Sequence, residues 1–290
     1  MRSYIMSFLI LMTLFACDED FKIPNEESSQ LVVEGWIENG EFPIVILTRS
    51  VPASTEYQNK KELYNYLIRW SKVSVSNGTD TIILTGKYDD GYFPPYIYTT
   101  SRMRGEAGKQ YTLSVEYRDY RATAKTTIPK SFPNCTFKVE SSNWNQKTVF
   151  LIKTILKDNI AEKNYYQLFT CLGNSSKQYQ ASYLGSIDDA MLDSITEIPI
   201  YKGHKLTLDE YRPHFTYNDT VSIKVAQIDE TSFRIWDSYV KTLSLSSNMF
   251  LSTSTDMESN IDGGYGYWCG YNSTTHHVIL FDSIYHFIYK

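Results

Sequence analysis

The sequence predicts a mainly β protein, with an N-terminal immunoglobulin-like antiparallel β-sandwich followed by a mostly β C-terminal domain that carries one or two short helices. Three observations lead to this fold class. Short runs of β-branched and aromatic residues recur along the chain, turn residues separate many of these runs, and the spacing of apolar residues has a clear helical period at only one place. This combination is typical of antiparallel sandwiches.

The sandwich is expected over residues 31–130, because strand-like runs there come in neighbouring pairs joined by turn residues. The runs are Leu31–Ile37 and Ile44–Leu47 around Asn39-Gly40, Val73–Ser76 and Thr81–Leu84 around Asn77-Gly78, and Tyr111–Tyr117 and Tyr120–Ile128 around Arg118-Asp119. Pro129 and Pro133 then interrupt the pattern, so we place the domain boundary between residues 130 and 131.

The C-terminal domain, residues 131–290, continues with strand-like runs at 148–156, 165–171 and 220–227. One amphipathic helix interrupts them. Its apolar residues recur at intervals of three and four, which places them on one face, and Asp229 stands where a side chain can cap the first turn. The residues on this face are Phe233, Trp236, Val240 and Leu243. A second, weaker helical pattern covers 188–194.

The first 30 residues differ in composition from the rest. Arg2 is followed by an apolar stretch from Tyr4 to Phe15 without an acid, and three acids follow Cys17. A charged start followed by a short apolar run is typical of an export signal. A transmembrane helix needs about 20 apolar residues, so this run is not expected to persist as a membrane span.

The residues Leu14-Phe15-Ala16-Cys17 resemble a bacterial lipobox. The resemblance predicts that residues 1–16 are a lipoprotein signal peptide, that Cys17 becomes the acylated first residue, and that residues 17–30 form an acidic tether. Acyl chains such as palmitate would then anchor the protein, each buried methylene contributing about 0.8 kcal/mol. The alternative is a buried cysteine at the start of a cytosolic domain, since free cysteine packs as a small hydrophobe.

Charge and cysteine content narrow the classes of partner. The net charge of −5 argues against nucleic acid as a partner, because its phosphates would be repelled, and no polybasic run indicates electrostatic binding to lipid. Apart from Cys17, the cysteines are Cys135, Cys171 and Cys269, a set too sparse for a disulfide framework or a zinc clip. We expect buried thiols, with a Cys135–Cys171 disulfide as the open alternative.

The sequence contains no local catalytic motif of the serine hydrolase, zinc protease or phosphate-loop type. His276 and His277 are adjacent, and neighbours in a strand point to opposite faces, so they are not expected to share a metal ion. The acid pairs Asp89-Asp90 and Asp188-Asp189 are best interpreted as turns and caps. We therefore expect no enzyme activity, no cofactor and no metal, although a catalytic group assembled from distant residues stays open.

Aromatic residues are the most unusual feature of the composition, with 24 Tyr and 5 Trp. Several cluster in glycine-flanked segments, which we expect to be loops. Tyr and Trp offer large contact area at low entropic cost, so these loops are candidates for contact with a partner protein, a glycan or a peptide. The opposing interpretation is that tyrosine belongs in half-buried strands. The candidate contact residues are Tyr92, Phe93, Tyr96, Tyr265, Tyr267, Trp268 and Tyr271.

Three segments together resemble the Bacteroidetes lipoprotein family known as domain of unknown function 4249: Leu31–Ile37, Gly105–Leu113 and Ser259–Gly266. The resemblance spans nearly all of the chain after Cys17. It implies an outer-membrane lipoprotein, often encoded beside TonB-dependent transporters of the SusC type. It also implies that the acids after Cys17 direct the protein to the cell exterior, and it transfers no catalytic residue.

These observations predict a surface-exposed outer-membrane lipoprotein that is a non-catalytic accessory to a TonB-dependent transporter in nutrient capture or uptake. The first alternative is a cell-surface adhesin or structural lipoprotein that works without a transporter. The second is a glycan or peptide hydrolase, which rests only on scattered Asp and His residues.

Overall fold

The computed structural model describes residues 29–50, 60–131, 134–144, 146–159, 161–173, 175–193, 195–203, 213–246, 257–281 and 285–288. The strands are β1 (Leu31–Glu38), β2 (Ile44–Arg49), β3 (Lys72–Ser76), β4 (Thr81–Ile83), β5 (Thr85–Tyr88), β6 (Tyr96–Thr99), β7 (Gln110–Tyr117), β8 (Tyr120–Thr127), β9 (Asn134–Trp144), β10 (Lys147–Lys157), β11 (Tyr165–Leu172), β12 (Gln180–Asp188), β13 (Ile195–Ile200), β14 (Thr220–Ile228), β15 (Tyr265–Leu280) and β16 (Tyr285–Ile288). The helices are α1 (Glu230–Ser246) and two 3₁₀ helices, Lys60–Tyr66 and Asp189–Met191.

One large sheet connects the two halves of the protein. Its strand order is β12-β11-β14-β15-β1-β2-β6-β5, and β16 pairs with β15. The long strand β15 joins the halves, because its first part pairs in parallel with β1 and its second part pairs antiparallel with β14. The sheets β4-β3-β7-β8 and β13-β10-β9 are smaller. The expected boundary at residue 130 separates these two small sheets, whereas the large sheet crosses it.

The N-terminal half is a β-sandwich, as the sequence predicted. The sheet β4-β3-β7-β8 packs on one face of the large sheet, and all three predicted hairpin pairs form. In β1 the side chains alternate: Leu31, Val33 and Ile37 are buried in this core, while Glu34 and Trp36 lie on the opposite face. Full burial of such an aliphatic side chain contributes about 1.5–3 kcal/mol.

Trp268 lies at the centre of this first core. It is fully buried, and its indole Nε1 donates a hydrogen bond to the carbonyl of Tyr111 at 3.1 Å. Gly35 leaves room for the indole, because a Cβ there would lie 2.8 Å from its ring. Gly266 has a φ of +111°, and a Cβ on it would lie 1.9 Å from the Val33 carbonyl oxygen. These glycines therefore permit the close parallel pairing of β1 and β15.

The C-terminal half contains a second core between the sheet β13-β10-β9 and the same face of the strands β11, β14 and β15. Its fully buried members include Ile152, Leu168 and Ile223. The sequence anticipated a mostly β C-terminal domain, and the strands at 148–156, 165–171 and 220–227 are confirmed within one or two residues at their ends.

Helix α1 forms where its apolar period predicted it. Asp229 caps the helix, since its Oδ1 accepts the Ser232 amide at 2.8 Å. Its Oδ2 accepts the Thr127 amide at 3.0 Å, which ties the start of the helix to the first sandwich. Trp236 and Val240 are buried against the large sheet, on the face away from both cores. The second expected helix, at 188–194, is only the short 3₁₀ turn. No helix within the described residues is long and apolar enough to cross a membrane.

Candidate functional site

The face of the large sheet that carries α1 also contains a groove of about 860 Å³. Side chains from β1, β15, β14 and β11 form its floor, and Trp236 of α1 contributes to its side. Asp89 and Tyr92, in the loop between β5 and β6, and residues 177–179, before β12, also line it, together with residues of β4, β5 and β6 and of the segments around Glu41 and Ser101. The groove spans the junction of the two halves, so neither half could form it alone.

An ion pair is built into the floor. The ammonium of Lys224 on β14 contacts the carboxylate of Glu38 on β1, and each residue is only 8% exposed. The Ser273 hydroxyl donates to the other Glu38 oxygen at 2.8 Å, and the Lys224 Nζ lies 4.2 Å from the centre of the Tyr179 ring. A buried pair held in this way contributes more to fixed geometry than to net stability, because desolvation of both charges offsets their attraction.

A second charge pair joins the two loops at the groove. Lys177 Nζ donates to both Asp89 carboxylate oxygens, at 2.9 and 3.0 Å, and the Lys177 amide donates to the Gly91 carbonyl at 2.8 Å. Burial by itself would raise the pKa of Asp89. The hydrogen bonds from Lys177 and Gly91 and the charges of Lys177 and Lys87 outweigh it, so that this pKa is lowered. The loops are thus held together by a carboxylate that stays ionised.

Aromatic rings provide most of the apolar surface. The ring centres of Trp36 and Tyr92 are 6.2 Å apart, and those of Trp236 and Tyr267 are 4.9 Å apart. Trp36, Tyr92 and Tyr267 are half-buried, whereas Tyr271 is buried and accepts a hydrogen bond from the Trp236 indole at 3.2 Å. Burial raises the pKa of Tyr92 to about 12 and that of Tyr267 well above its ordinary value. Both phenols therefore stay protonated and can donate hydrogen bonds at neutral pH.

Three of the seven candidate contact residues line the groove: Tyr92, Tyr267 and Tyr271. Tyr265 is 50% exposed outside the groove lining. The expectation that 265–271 form a loop is wrong, because these residues are the first half of β15. Side chains alternate along this strand, so Trp268 faces the sandwich core, whereas Tyr267 and Tyr271 face the groove. Trp268 therefore has a core role, not a contact role.

The other two candidates, Phe93 and Tyr96, lie near the groove but outside its lining. Phe93 packs against Tyr64, with ring centres 5.9 Å apart, and its amide donates to the Gln178 side chain at 2.9 Å. Tyr96 packs on the first core, and its hydroxyl donates to the Arg69 carbonyl at 3.2 Å. Both residues support the loop that carries Tyr92, and neither presents a free ring to the groove.

Several groove residues were not predicted as contact residues from the sequence, among them Trp36, Glu38, Lys224 and Trp236. A signal existed for the first two. Alternation in β1 puts Trp36 and Glu38 on the face opposite Leu31 and Val33. A large aromatic residue followed by a charged residue on the same face of a strand indicates a candidate binding surface. Lys224, by contrast, stands alone in an apolar strand. Its partner is 186 positions away in sequence, and only the fold reveals it.

The three cysteines among the described residues form no disulfide. Cys135, Cys171 and Cys269 are free thiols in the structure, so the alternative of a Cys135–Cys171 disulfide is not realised. Burial raises the pKa of Cys135 to about 11 and that of Cys269 to about 12. Thiols with such pKa values are protonated and unreactive at neutral pH. The expected lipidation site, Cys17, lies outside the described residues. So does the expected tether from residue 17 to residue 28.

The acid pair Asp188-Asp189 and the histidine pair His276-His277 make contacts away from the groove. Asp188 accepts the Ala190 amide at 2.8 Å, and Lys163 bridges Asp188 and Asp189. His277 shares a hydrogen bond of 2.7 Å with Ser222, whereas His276 packs on another face of β15 against the Phe137 ring, 4.5 Å between centres. Within the described ranges, no group of three or more His, Cys, Asp and Glu side chains is placed to hold a metal ion.

These features define a mainly β protein in which two sandwich cores share one sheet and an aromatic groove lies on the opposite face of that sheet. The chain belongs to the family described as a domain of unknown function, DUF4249, whose sequence profile matches residues 18–277. A search of curated proteins found no match. The three segments that carry the resemblance meet in the first sandwich. The first pairs with the third, since β1 lies beside the start of β15. The carbonyl of Tyr111, in the second, accepts a hydrogen bond from the indole of Trp268, two residues beyond the third.

Proposed function

We propose that the protein is a surface-exposed outer-membrane lipoprotein that captures a ligand in the groove and serves, without catalysis, as an accessory to a TonB-dependent transporter of the SusC type. The groove is the observation that carries this proposal. Its volume falls in the range of small-molecule binding sites, and its charged and aromatic side chains are already held in place. A preorganised site binds without a further cost of ordering its own side chains.

The engagement of the groove carboxylates supports binding in preference to catalysis. Glu38 contacts Lys224 and accepts the Ser273 hydroxyl, and Asp89 accepts Lys177 through both oxygens. A general acid or base must exchange a proton with the substrate at the working pH, and a carboxylate tied to an ammonium is poorly suited to this. The same pairs are well suited to fixing the walls of a binding site.

The anchor is tested by replacing the expected acylation site. Cys17→Ser should move the protein out of the membrane fraction and abolish its metabolic labelling with a palmitate analogue. Cys135→Ser, which removes a thiol from β9, is the matched control. It should leave the membrane association and the labelling unchanged. Labelling that survives in the Cys17 variant would contradict the anchor.

The partner is tested by isolation of the protein from native outer membranes. Protease treatment of intact cells should first remove the protein from the surface, and its capture from untreated cells should then bring along a TonB-dependent transporter. Protein that resists the protease until the cells are broken, or that is captured without such a transporter, would contradict this proposal.

The second candidate is an adhesin or structural surface protein, and exposed apolar side chains of the first sandwich, just before β3 and at the ends of β4 and β5, favour it. Trp70 is 87% exposed, Tyr88 70% and Ile83 61%. Large exposed apolar side chains indicate contact with a partner when they occur close together. Loss of cell attachment on Trp70→Ala, together with capture that yields no transporter, would select this candidate.

A further inference from the structure

The chemistry of the groove lining indicates which class of ligand it takes. Building on the proposed capture function, we infer that the ligand is an uncharged oligosaccharide, with sugar rings packed on Trp36 and Tyr92 and sugar hydroxyls bonded to the polar side chains of the floor. Charge, hydrogen-bonding groups, aromatic geometry and backbone pairing each contribute to this assignment.

The buried charges of the floor are paired within the protein, because Lys224 neutralises Glu38. Asp89 contacts both Lys177 and Lys87, so the lining carries one cation in excess, and the Lys87 side chain is exposed. An ionic ligand that reached the floor would have to leave water and would find no unpaired counter-charge there, which is costly. The other charged residues of the lining, Glu41 and Arg102, are exposed and of opposite sign. The floor, where a ligand would lose its water, therefore carries no net charge, and the excess cation lies on an exposed side chain.

The polar groups that remain are mostly small hydroxyls. They come from four elements and line the same groove: Thr85, Thr99, Thr100, Ser101 and Thr275. Gln178 adds an amide whose oxygen already accepts the Phe93 amide at 2.9 Å, so its NH₂ group is the part left to donate. Many short donors and acceptors, spread around a floor without net charge, match a ligand that carries a hydroxyl on most of its carbon atoms.

The aromatic rings supply the apolar part of the match. The planes of Trp36 and Tyr92 are inclined at 43° with their centres 6.2 Å apart, and both side chains are half-buried. They thus form two adjacent, differently tilted platforms. The C–H faces of a pyranose ring are apolar and flat enough to pack on such a platform. Two platforms in a groove of about 860 Å³ fit neighbouring sugar units of a short oligosaccharide better than a single sugar.

Backbone pairing argues against an extended peptide. A peptide commonly binds a β protein by adding a strand to a free sheet edge, where main-chain groups supply the affinity. The floor strands β1, β15 and β14 are interior strands of the large sheet, and each is already paired on both sides. The floor therefore offers side chains but no row of unpaired main-chain groups, and the free sheet edges among the lining strands belong to β4 and β5.

The inference is tested with the full-length protein in detergent. Binding is followed by calorimetry for three probe panels: neutral gluco-, manno- and xylo-oligosaccharides, anionic oligogalacturonides, and a tryptic digest of casein. We expect a member of the neutral panel to bind, with an affinity that changes less than about twofold between low salt and roughly 0.5 M salt. Trp36→Ala and Tyr92→Ala should each weaken this binding at least tenfold.

Two control variants separate loss of a platform from loss of fold. Trp70→Ala removes an exposed tryptophan outside the groove lining and should leave the affinity unchanged. Trp36→Phe keeps an aromatic face and should restore most of the affinity lost in Trp36→Ala. If Trp36→Ala fails to fold, Tyr92→Leu replaces it, because Tyr92 lies in a loop.

Each outcome bears on the ligand separately from the transporter. Binding of only the anionic panel, binding of only the peptides, or no binding to any panel overturns the oligosaccharide inference. Neutral binding that Trp70→Ala weakens as much as Trp36→Ala also overturns it. If a neutral oligosaccharide binds in the groove but no transporter is captured with the protein, the inference stands and the proposed accessory function fails.

Discussion

Glu34 gives the sharpest test of the structure, because its carboxyl group is held in an unfavourable setting. It lies on the groove face of β1, opposite Tyr267 on β15, and Tyr239 of α1 is also near it. Burial raises its pKa from 4.5 to about 7, and among the described residues no cation pairs with it. Glu34→Gln keeps the shape of the side chain and removes the charge.

The magnitude follows from the two pKa values. One pH unit of pKa difference corresponds to 1.36 kcal/mol, so a rise from 4.5 to about 7 makes ionised Glu34 destabilising by about 3 kcal/mol. The side chain is half-buried and keeps some contact with solvent, which lowers the expected effect to about 1–3 kcal/mol. Below pH 4.5 Glu34 is protonated in both the folded and the unfolded chain and does not lower stability. As the pH rises from 4.5 to about 7 the unfolded chain ionises first, and the free energy of unfolding falls by this amount.

The assay is urea unfolding of the wild type and of Glu34→Gln at pH 4.5 and pH 8. We expect the variant to be more stable than the wild type by about 1–3 kcal/mol at pH 8, and the difference to shrink to within about 0.5 kcal/mol at pH 4.5. Glu41→Gln, at an exposed position, should change stability by less than about 0.5 kcal/mol at either pH. Equal stability of Glu34→Gln and wild type at pH 8 would refute the raised pKa of Glu34.

Three further predictions concern backbone, cap and thiols. Gly266→Ala should cost more than about 2 kcal/mol in urea unfolding, whereas Gly78→Ala, also at positive φ but with open space at its Cβ, should cost only about 1–2 kcal/mol; equal costs would contradict the close approach of β1 and β15. Asp229→Ala should lower stability by about 1–2 kcal/mol, and Asp229→Asn by less; a neutral alanine change would contradict the cap. Alkylation in denaturant without reductant should modify Cys135, Cys171 and Cys269. A pair of these cysteines that reacts only after reduction would indicate a disulfide.

Much of the secondary structure could be predicted because it depends on local patterns. The turn pair Asn77-Gly78 lies between strands that pair as expected, since Gly78 takes up a φ of +90° and the Asn77 side chain accepts two amides of the turn. The helix around Trp236 was predictable for the same reason, because period and cap act within one segment. The loop predicted from flanking glycines at 265–271 is instead the start of β15, because Gly266 permits close strand pairing.

The candidate site was less predictable because its parts come from distant segments. Tyr92 and Tyr267 were found by composition alone, and the same criterion also selected Trp268, which alternation buries on the other face. The Glu38–Lys224 pair could not be found by spacing, since its members join only when β15 lies between β1 and β14.

By itself, the sequence determined the β-rich class, the paired strands of the first sandwich, the capped helix and the family resemblance, because each depends on residues close in sequence or on order along the chain. The tertiary structure decided that the two halves share one sheet and that the groove lies across their junction. The physical reason is the length of β15: its first half completes the first sandwich and its second half the other, so that a face of each is brought under the same helix.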